Sequence, residues 1–557
     1  MPLLRLTTVL ATFRLTALLA AFSMAAAAFA EPEDVRQRLL ERVRVDPAPL
    51  DREPVTTVVE GPLRDDGTID YVAAVNARLS QGVTPDNNAY AVIAALIHPS
   101  DWDDDDYRER VFEEMGVPLP DDDAEYLRSF RDYVVQQTGE YLRHNSELYA
   151  SWDLAMREPW SAEAAPVVAD WLAAQEGPLS RLGEALDRER FWAPFVPDSS
   201  NHGLIYLPGT LGALQDRTYA RSVVGYDPPA APPRLGTLRR ALPTRALLRI
   251  EQGGLADAAA DVLTLERLAR AVTAHELLME QMAISASTRR PLAHLAGHDA
   301  LTAAHARALL DELPDAPMWP HLSRAIATGE RHMLLNFLQR LSEGFDDSTL
   351  TRRLPFADRA WVAEVGPRYF DLDRAIRRAN RHYDRLAEVG LLNTRHEREQ
   401  AWTDAAQHVE ATLSLLPRDR IRATHVMQAE LLRRTQPERV ELFTDVVTDY
   451  LVRWLQRPIG GARNTVERPE TFNVLKRVAL AVAGHRAEHG VYPAALDQLV
   501  PGWLDTVPDD PFAAEPGQAI IYRVEDDRVV IYSVGDNGED NGGVSGPYRD
   551  LALEWPR

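Results

Sequence analysis

Apolar residues recur through most of this chain at the three- and four-residue spacing of an α-helix. Near the middle of the chain, five of them form one stripe: Ala258, Val262, Leu265, Ala269 and Val272. Leu263 faces the other side, which indicates a helix with neighbours on two faces. The surrounding stretch, RALLRIEQGGLADAAADVLTLERLARAV, predicts a helix, a Gly-Gly turn and a second helix, as in one tetratricopeptide unit.

The same helical spacing continues on both sides of this stretch, but no clean period of about 34 residues is visible. We therefore predict a mainly α fold with a long helical array over residues 68–457, either tetratricopeptide-like or an irregular solenoid. The pattern breaks near Pro458, in RPIGGARNTVERPE, where prolines and glycines favour a linker over residues 458–470.

Beyond that linker, the pattern changes character. One helical stretch, TFNVLKRVALAVAGHRAEHG, is followed by two apolar runs, AIIYRV and RVVIYSV. The polar turn between the runs, residues 525–527, predicts a β-hairpin. Residues 471–557 are thus expected to form a small α+β domain with an antiparallel sheet.

The N-terminus has the pattern of an export signal. Arg5 and Arg14 precede an apolar stretch, and Ala28-Phe29-Ala30 forms an A-x-A cleavage site. We predict a signal peptide over residues 1–30, a linker over residues 31–67, and a periplasmic or extracellular location. The alternative is an uncleaved membrane anchor, although the apolar stretch is shorter than the roughly 20 residues that span a bilayer. No stable membrane insertion is expected after cleavage.

Composition excludes several classes of function. The chain has no cysteine, which excludes disulfides, thiol catalysis and thiolate metal sites. Its formal charge of −23 becomes −25 when the signal, with two arginines and no acidic residue, is removed. Such a chain repels nucleic acid and anionic lipid, so no nucleic-acid partner is expected.

Motifs for catalysis are weak. Residues 485–489 match H-x-x-E-H, a zinc-peptidase signature, but Gly490 ends the helix at once and no third-ligand motif follows. Nucleophile elbows, Walker loops and dinucleotide fingerprints are absent from the sequence. We predict that the protein is not an enzyme. The alternative is a site assembled from distant residues, for example in the Pro- and Gly-rich crossing of residues 191–236.

Arginines recur along one predicted helix of the array: Arg374, Arg377, Arg378, Arg381 and Arg385. In so acidic a chain, their expected partners are carboxylates of neighbouring helices, and the alternative is an external anion.

The C-terminal region resembles the globular part of the major pseudopilin of type II secretion. The matching features are HGVYP at a helix end, LDQLVPGWLDTVPDDPF, the hairpin, YSVGDNGEDNGG, Asp550-Leu551 and Trp555. This resemblance implies a calcium site in the Asp/Gly loop after the last long strand. Its side-chain ligands would be Asp536 or Asn537, Asp540 and Asp550, although the family usually has aspartate where Asn537 stands. The alternative is a simple solvated loop.

The resemblance stops short of the pilin function. A pseudopilin begins with an apolar helix that builds the filament, and that helix is missing here. The longer chain also resembles a family of exported bacterial proteins of unknown activity, on stretches such as DYVAAVNARLSQGVTPDNNAYAVIAAL and RANRHYDRLAEVG. We expect a binding or scaffold protein with protein partners in the cell envelope. The alternative is a component or accessory of a type II secretion-like system.

Overall fold

The structure is a computed structural model that describes residues 61–102, 105–121, 124–196, 235–274, 284–313, 319–345, 351, 354–392, 394–513, 517–546 and 549–556. The predicted signal peptide and most of the predicted linker over residues 31–67 lie outside the described residues. So does most of the crossing at residues 191–236.

The first helices in chain order are α1 (Tyr71–Leu79), α2 (Ala89–Leu96), α3 (Asp105–Glu114), α4 (Phe130–Thr138), α5 (Ser146–Ala155), α6 (Pro166–Ala173), α7 (Glu176–Leu186), α8 (Gly236–Glu251) and α9 (Leu255–Ala274). They are followed by α10 (Arg289–Gly297), α11 (Ala303–Glu312), α12 (Trp319–Ala325), α13 (Arg331–Glu343), α14 (Arg359–Tyr369), α15 (Leu372–Val389), α16 (Arg395–Leu413), α17 (Arg420–Leu432) and α18 (Gln436–His489). None of the helices in the described residues is long and apolar enough to cross a membrane.

A small sheet follows the last helix. Its strands are β1 (Ile521–Val524), β2 (Arg528–Ser533) and β3 (Leu551–Pro556), hydrogen-bonded in the order β1-β2-β3 with both pairs antiparallel. The chain is thus mostly helical with a three-stranded antiparallel sheet at its C-terminal end, which confirms the predicted fold class. The predicted hairpin is the pair β1 and β2.

The predicted helix–turn–helix is α8 and α9. The two helices are joined at Gly253-Gly254, where Gly254 N–H donates to the carbonyl of Arg249. All five residues of the predicted stripe on α9 are at most 2% exposed. Because α9 packs against both α8 and α11, the expectation of neighbours on two faces is also confirmed.

The linker predicted for residues 458–470 is helical instead. Helix α18 continues through Pro458 and Pro469 for 54 residues. A proline interrupts one intrahelical hydrogen bond, at a cost of about 3 kcal/mol, but packing of the flanking turns can offset this. The flanks of this stretch are buried, from Phe443 to Val452 on one side and from Leu475 to Ala483 on the other.

The chain divides into two packing units. The smaller unit includes residues 337–379 and 406–453, and the larger includes residues 58–336, 380–405 and 454–557. In the smaller unit, Phe356 stacks on Phe443 with ring centroids 5.9 Å apart. Trp361 meets Phe356 edge-on at 5.4 Å. These rings form the aromatic centre of this unit.

Two of the five predicted arginine–carboxylate contacts also lie in the smaller unit. Arg374 Nε donates to Asp445 at 2.7 Å, and Arg378 Nε donates to Asp449 at 2.6 Å. The prediction of carboxylate partners on a neighbouring helix is confirmed for these two arginines. Arg377 instead lies 4.0 Å from Asp373 of its own helix.

In the larger unit, one hydrophobic core joins helices α2 to α11 with the second half of α18 and the sheet. Strand β3 packs directly on α10. Trp555 is 2% exposed, and a Cβ atom added to Gly297 would lie 2.8 Å from its ring. The residues predicted to form a small C-terminal domain therefore share their core with the helical body.

Candidate functional site

The four predicted calcium ligands lie between β2 and β3, and the structure gives each a different partner. Asp550 is fully buried, and its carboxylate accepts hydrogen bonds from the backbone N–H groups of Asn541 at 3.1 Å and Gly543 at 2.7 Å. Asp550 therefore closes the loop onto the start of β3. The loop also needs glycine at Gly535, because its φ is +64° and a Cβ there would lie 2.1 Å from a backbone oxygen.

Asp540 accepts hydrogen bonds from the Tyr532 hydroxyl at 2.9 Å, from Gly542 N–H at 2.8 Å and from Arg523 at 2.8 Å. The Gly542 hydrogen bond lowers the pKa of Asp540, and Tyr532 and Arg523 act in the same direction. Asn537 bonds to Asn541 through its amide group at 2.9 Å.

Asp536 accepts from Arg468 at 2.7 Å, and its side chain is only 9% exposed. Its other carboxylate oxygen, Oδ1, is buried and has no hydrogen-bond partner in the part of the chain that the structure describes. That orphaned oxygen is suited to a cation. The carboxylates of Asp540 and Asp550, however, already accept several protein donors, whereas calcium takes six to eight oxygens. Among the described residues, no group of three or more His, Asp or Glu side chains is arranged to hold a metal. Calcium at this loop stays a prediction.

The H-x-x-E-H stretch lies at the end of α18. The rings of His485 and His489 stack with centroids 4.2 Å apart, and both Nδ1 atoms lie within hydrogen-bonding distance of backbone carbonyls, at 3.3 and 3.0 Å. Glu488 accepts a hydrogen bond from the Trp503 indole at 3.0 Å. The residue that would serve as general base is thus engaged in packing the helix end.

A cavity of about 1110 Å³ lies in the larger unit, away from these stretches. Its wall is formed by the end of α5, the first turns of α8 and α10, and strands β2 and β3. We call it the arginine pocket because its lining includes six arginines: Arg157, Arg239, Arg240, Arg289, Arg290 and Arg528. Four carboxylates also line it: Asp153, Glu158, Asp527 and Glu554.

Two of the four carboxylates already have arginine partners. Asp153 pairs with Arg157 at 2.8 Å, and Glu554 pairs with Arg528 at 2.6 Å. Glu158 lies 3.3 Å from Nε2 of His294. Burial lowers the pKa of His294, and the nearby Glu158 opposes that shift.

The other four arginines of the pocket have no carboxylate within 4.0 Å among the described residues: Arg239, Arg240, Arg289 and Arg290. Nε of Arg239 is buried and has no hydrogen-bond partner among the described residues. Burial lowers the pKa of Arg240, and the positive charges of Arg239 and Arg131 add to the effect. The pKa of Arg289 is likewise lowered by burial and then by Arg290 and Arg468. Among the described residues, these four arginines thus lack the carboxylate partners that Arg157 and Arg528 have.

These arginines also lie at unfavourable ends of their helices. Arg289 and Arg290 are the first two residues of α10, and Arg239 and Arg240 follow closely on the start of α8. The N-terminus of a helix has a partial positive charge and favours anions. Neither helix has a side-chain N-cap hydrogen bond. An anion in the pocket would compensate these guanidinium groups, and at α10, whose first two residues line the cavity, it would also be favoured by the helix N-terminus.

Lys476 lies in the core beside the pocket wall. It is the only lysine of the chain, and it is fully buried. Its Nζ donates to Glu266 at 2.7 Å and to the Ser285 hydroxyl at 2.9 Å. Thr288, directly before α10, donates to the same carboxylate of Glu266 at 2.5 Å. This network ties the segment that leads to Arg289 to α9 and α18.

The distance between Ser285 and Lys476 is that of a serine–lysine catalytic pair, but the environment is different. Ser285 is 3% exposed, and Lys476 is paired with a carboxylate. Burial lowers the pKa of Lys476, while Glu266 opposes that shift. The network has the character of a structural ion pair with satisfied donors.

The arginine pocket was missed at the level of sequence. A signal was present, since Arg-Arg pairs occur in GTLRRALP and STRRPLAH, close to the starts of α8 and α10, where acidic residues are normally favoured. The sequence did not show that both pairs line one cavity. Comparison with known proteins adds no identification, because no family model, no curated protein and no solved structure matches this chain.

Proposed function

We propose that this chain is an exported binding protein of the cell envelope and that it binds an anionic ligand in the arginine pocket. The observation that supports this function is the set of four arginines without carboxylate partners in one cavity of about 1110 Å³. That volume lies slightly above the range of about 300–1000 Å³ typical of small-molecule sites.

The charge balance of the chain strengthens the argument. Acidic residues outnumber basic ones, 84 to 61, so carboxylate partners are abundant. Arg239 and Arg289 are half-buried, whereas Arg240 and Arg290 are more exposed. Leaving the half-buried guanidinium groups without a carboxylate partner is unfavourable. Guanidinium groups form paired hydrogen bonds with carboxylates and phosphates, so a ligand that contains either group would supply the missing partners.

The location and partners proposed for the protein rest on the sequence. The A-x-A signal supports export, and the acidic charge disfavours nucleic-acid and anionic-lipid partners. The resemblance of residues 471–557 to a pseudopilin supports protein partners in the envelope, in a scaffold role or as an accessory of a secretion system. Calcium at the 535–543 loop would stabilise the same region.

The test is isothermal titration of the mature full-length chain with inorganic phosphate, sulfate and acetate. We expect saturable binding that weakens as ionic strength rises, because the contacts are charged. The double variant Arg240→Gln/Arg290→Gln should lose most of this binding. Arg181→Gln is the matched control, since Arg181 is exposed on α7 outside the pocket. Absence of saturable binding, or equal binding by the pocket variant, would contradict the proposed function.

A further inference from the structure

We propose that the arginine pocket recognises a ligand with two separate anionic groups. Arg239 and Arg240 would hold one group, and Arg289 and Arg290 would hold the other. This inference rests on the proposed function and adds the class of ligand: a small dianion whose two carboxylates or phosphates are joined by a spacer.

The first support is the placement of the two pairs on two helices. Arg239 and Arg240 are on α8, whereas Arg289 and Arg290 begin α10, which packs against α8. The first two residues of α10 line the cavity, whereas on α8 the lining begins at Arg239, beyond the first three residues of the helix. The two pairs therefore belong to different helices, so each can bind an anion without the other.

The second support is that the pairs have different charged neighbours. Arg240 is affected by Arg239 and by Arg131 of α4, whereas Arg289 is affected by Arg290 and by Arg468 of α18. The charged groups that shift the pKa of Arg240 do not include Arg289 or Arg290, and those that shift the pKa of Arg289 do not include Arg239 or Arg240. A cavity of about 1110 Å³ has room for two such positions.

The third support is that Arg289 is preorganised for a ligand. Its guanidinium lies 3.9 Å from the centre of the Phe472 ring, and its Nε donates to the carbonyl of Ala286 at 3.1 Å. The stacking fixes the plane of the guanidinium group. Its two Nη atoms make no hydrogen bond with any residue in the described part of the chain. A planar fork held in this way is suited to a carboxylate or a phosphate.

The wall also suggests what joins the two groups. One helical turn after the arginines, Pro243 on α8 and Ala293 on α10 line the cavity, and Leu553 of β3 lines it as well. Residues four apart lie on the same face of a helix, so each pair has an apolar neighbour on the pocket side. An apolar spacer between the anionic groups is therefore compatible with the wall.

The experiment compares monoanions with dianions on the full-length mature chain. Acetate should bind at two positions, and linear dicarboxylates should bind at one position per chain. Along a series of dicarboxylates from about three to ten carbons, affinity should reach a maximum and exceed that of acetate by about a hundredfold. The double variants Arg239→Gln/Arg240→Gln and Arg289→Gln/Arg290→Gln should each bind one acetate. Each should bind the best dicarboxylate no more tightly than acetate.

The outcomes separate this inference from the proposed function. Saturable acetate binding at a single position, or dicarboxylate affinity that does not vary with spacer length, would overturn the two-group assignment while anion binding stands. Absence of binding by every anion would overturn both. The spacer series needs no variant, so a variant that fails to fold does not remove the test.

Discussion

Replacing Lys476 with methionine removes the only amine from the buried network beside the pocket. Glu266, which is 1% exposed, would keep the Thr288 hydroxyl as a donor and lose its counter-ion. Its second oxygen, Oε2, is already buried and has no hydrogen-bond partner within the described ranges. Removing one partner of a buried ion pair costs about 3–5 kcal/mol, because the remaining charge is left uncompensated. We expect Lys476→Met to lower the free energy of unfolding of the larger unit by that amount.

The double variant Lys476→Met/Glu266→Leu separates the ion pair from the packing. Replacing both charges with apolar side chains of similar volume removes the desolvation penalty together with the attraction. We expect the double variant to recover most of the loss and to lie within about 1 kcal/mol of the wild type, or above it.

Two measurements test this loss of stability. Urea unfolding followed by tryptophan fluorescence gives the change in the free energy of unfolding. The wild type also offers a direct probe, because Lys476 is the only lysine and is fully buried. An amine-reactive reagent should therefore label it only when this core opens. A loss below about 1 kcal/mol in Lys476→Met, or a double variant as unstable as the single one, would refute the reasoning.

Three further predictions concern other parts of the larger unit. Gly297→Ala should lower stability by about 1–3 kcal/mol in thermal unfolding, because the new Cβ would lie 2.8 Å from Trp555. The control Gly183→Ala adds a Cβ in open space within α7 and should be neutral or stabilising. Burial, together with Asp132, raises the pKa of Asp101 to about 6, so the folded state favours the protonated carboxyl group. The stability that Asp101 contributes is therefore present below about pH 4 and is lost as the pH rises through 6. Asp101→Asn should remove that loss of stability. If the variant and the wild type differ in stability between pH 4 and pH 7 by the same amount, the prediction is wrong. The full-length chain should melt at a higher temperature in the presence of calcium than in the presence of a chelator. Identical melting temperatures would contradict calcium binding, and the 535–543 loop would then be held only by its own hydrogen bonds.

Local sequence patterns were enough to predict much of the fold. The stripe on α9 identified its buried face because a helix repeats every 3.6 residues whatever its surroundings. The Gly-Gly turn between α8 and α9 and the β1–β2 hairpin followed from turn residues between apolar runs. Arg374 and Arg378 were expected to find carboxylates because the whole chain is strongly acidic. For the stripe, the turn and the hairpin, the signal lay within one element or its immediate neighbour in sequence, whereas the partners of these arginines are 71 positions away.

Other features required the tertiary structure. Pro458 and the glycines after it predicted a linker, yet α18 continues through them, with buried residues on either side of the stretch. The Asp/Gly loop could be found by sequence, but only the fold showed that Asp550 accepts backbone N–H groups and that Asp536 pairs with Arg468.

The arginine pocket shows the difference most clearly. The sequence by itself determined the helices, the sheet, the acidic charge and the two Arg-Arg pairs. It did not determine that those pairs, some 50 positions apart, line one cavity without carboxylate partners. Helical periodicity is set by backbone geometry within a few residues, whereas a pocket depends on which distant elements pack together. That packing is decided by the burial of apolar surface across the whole larger unit.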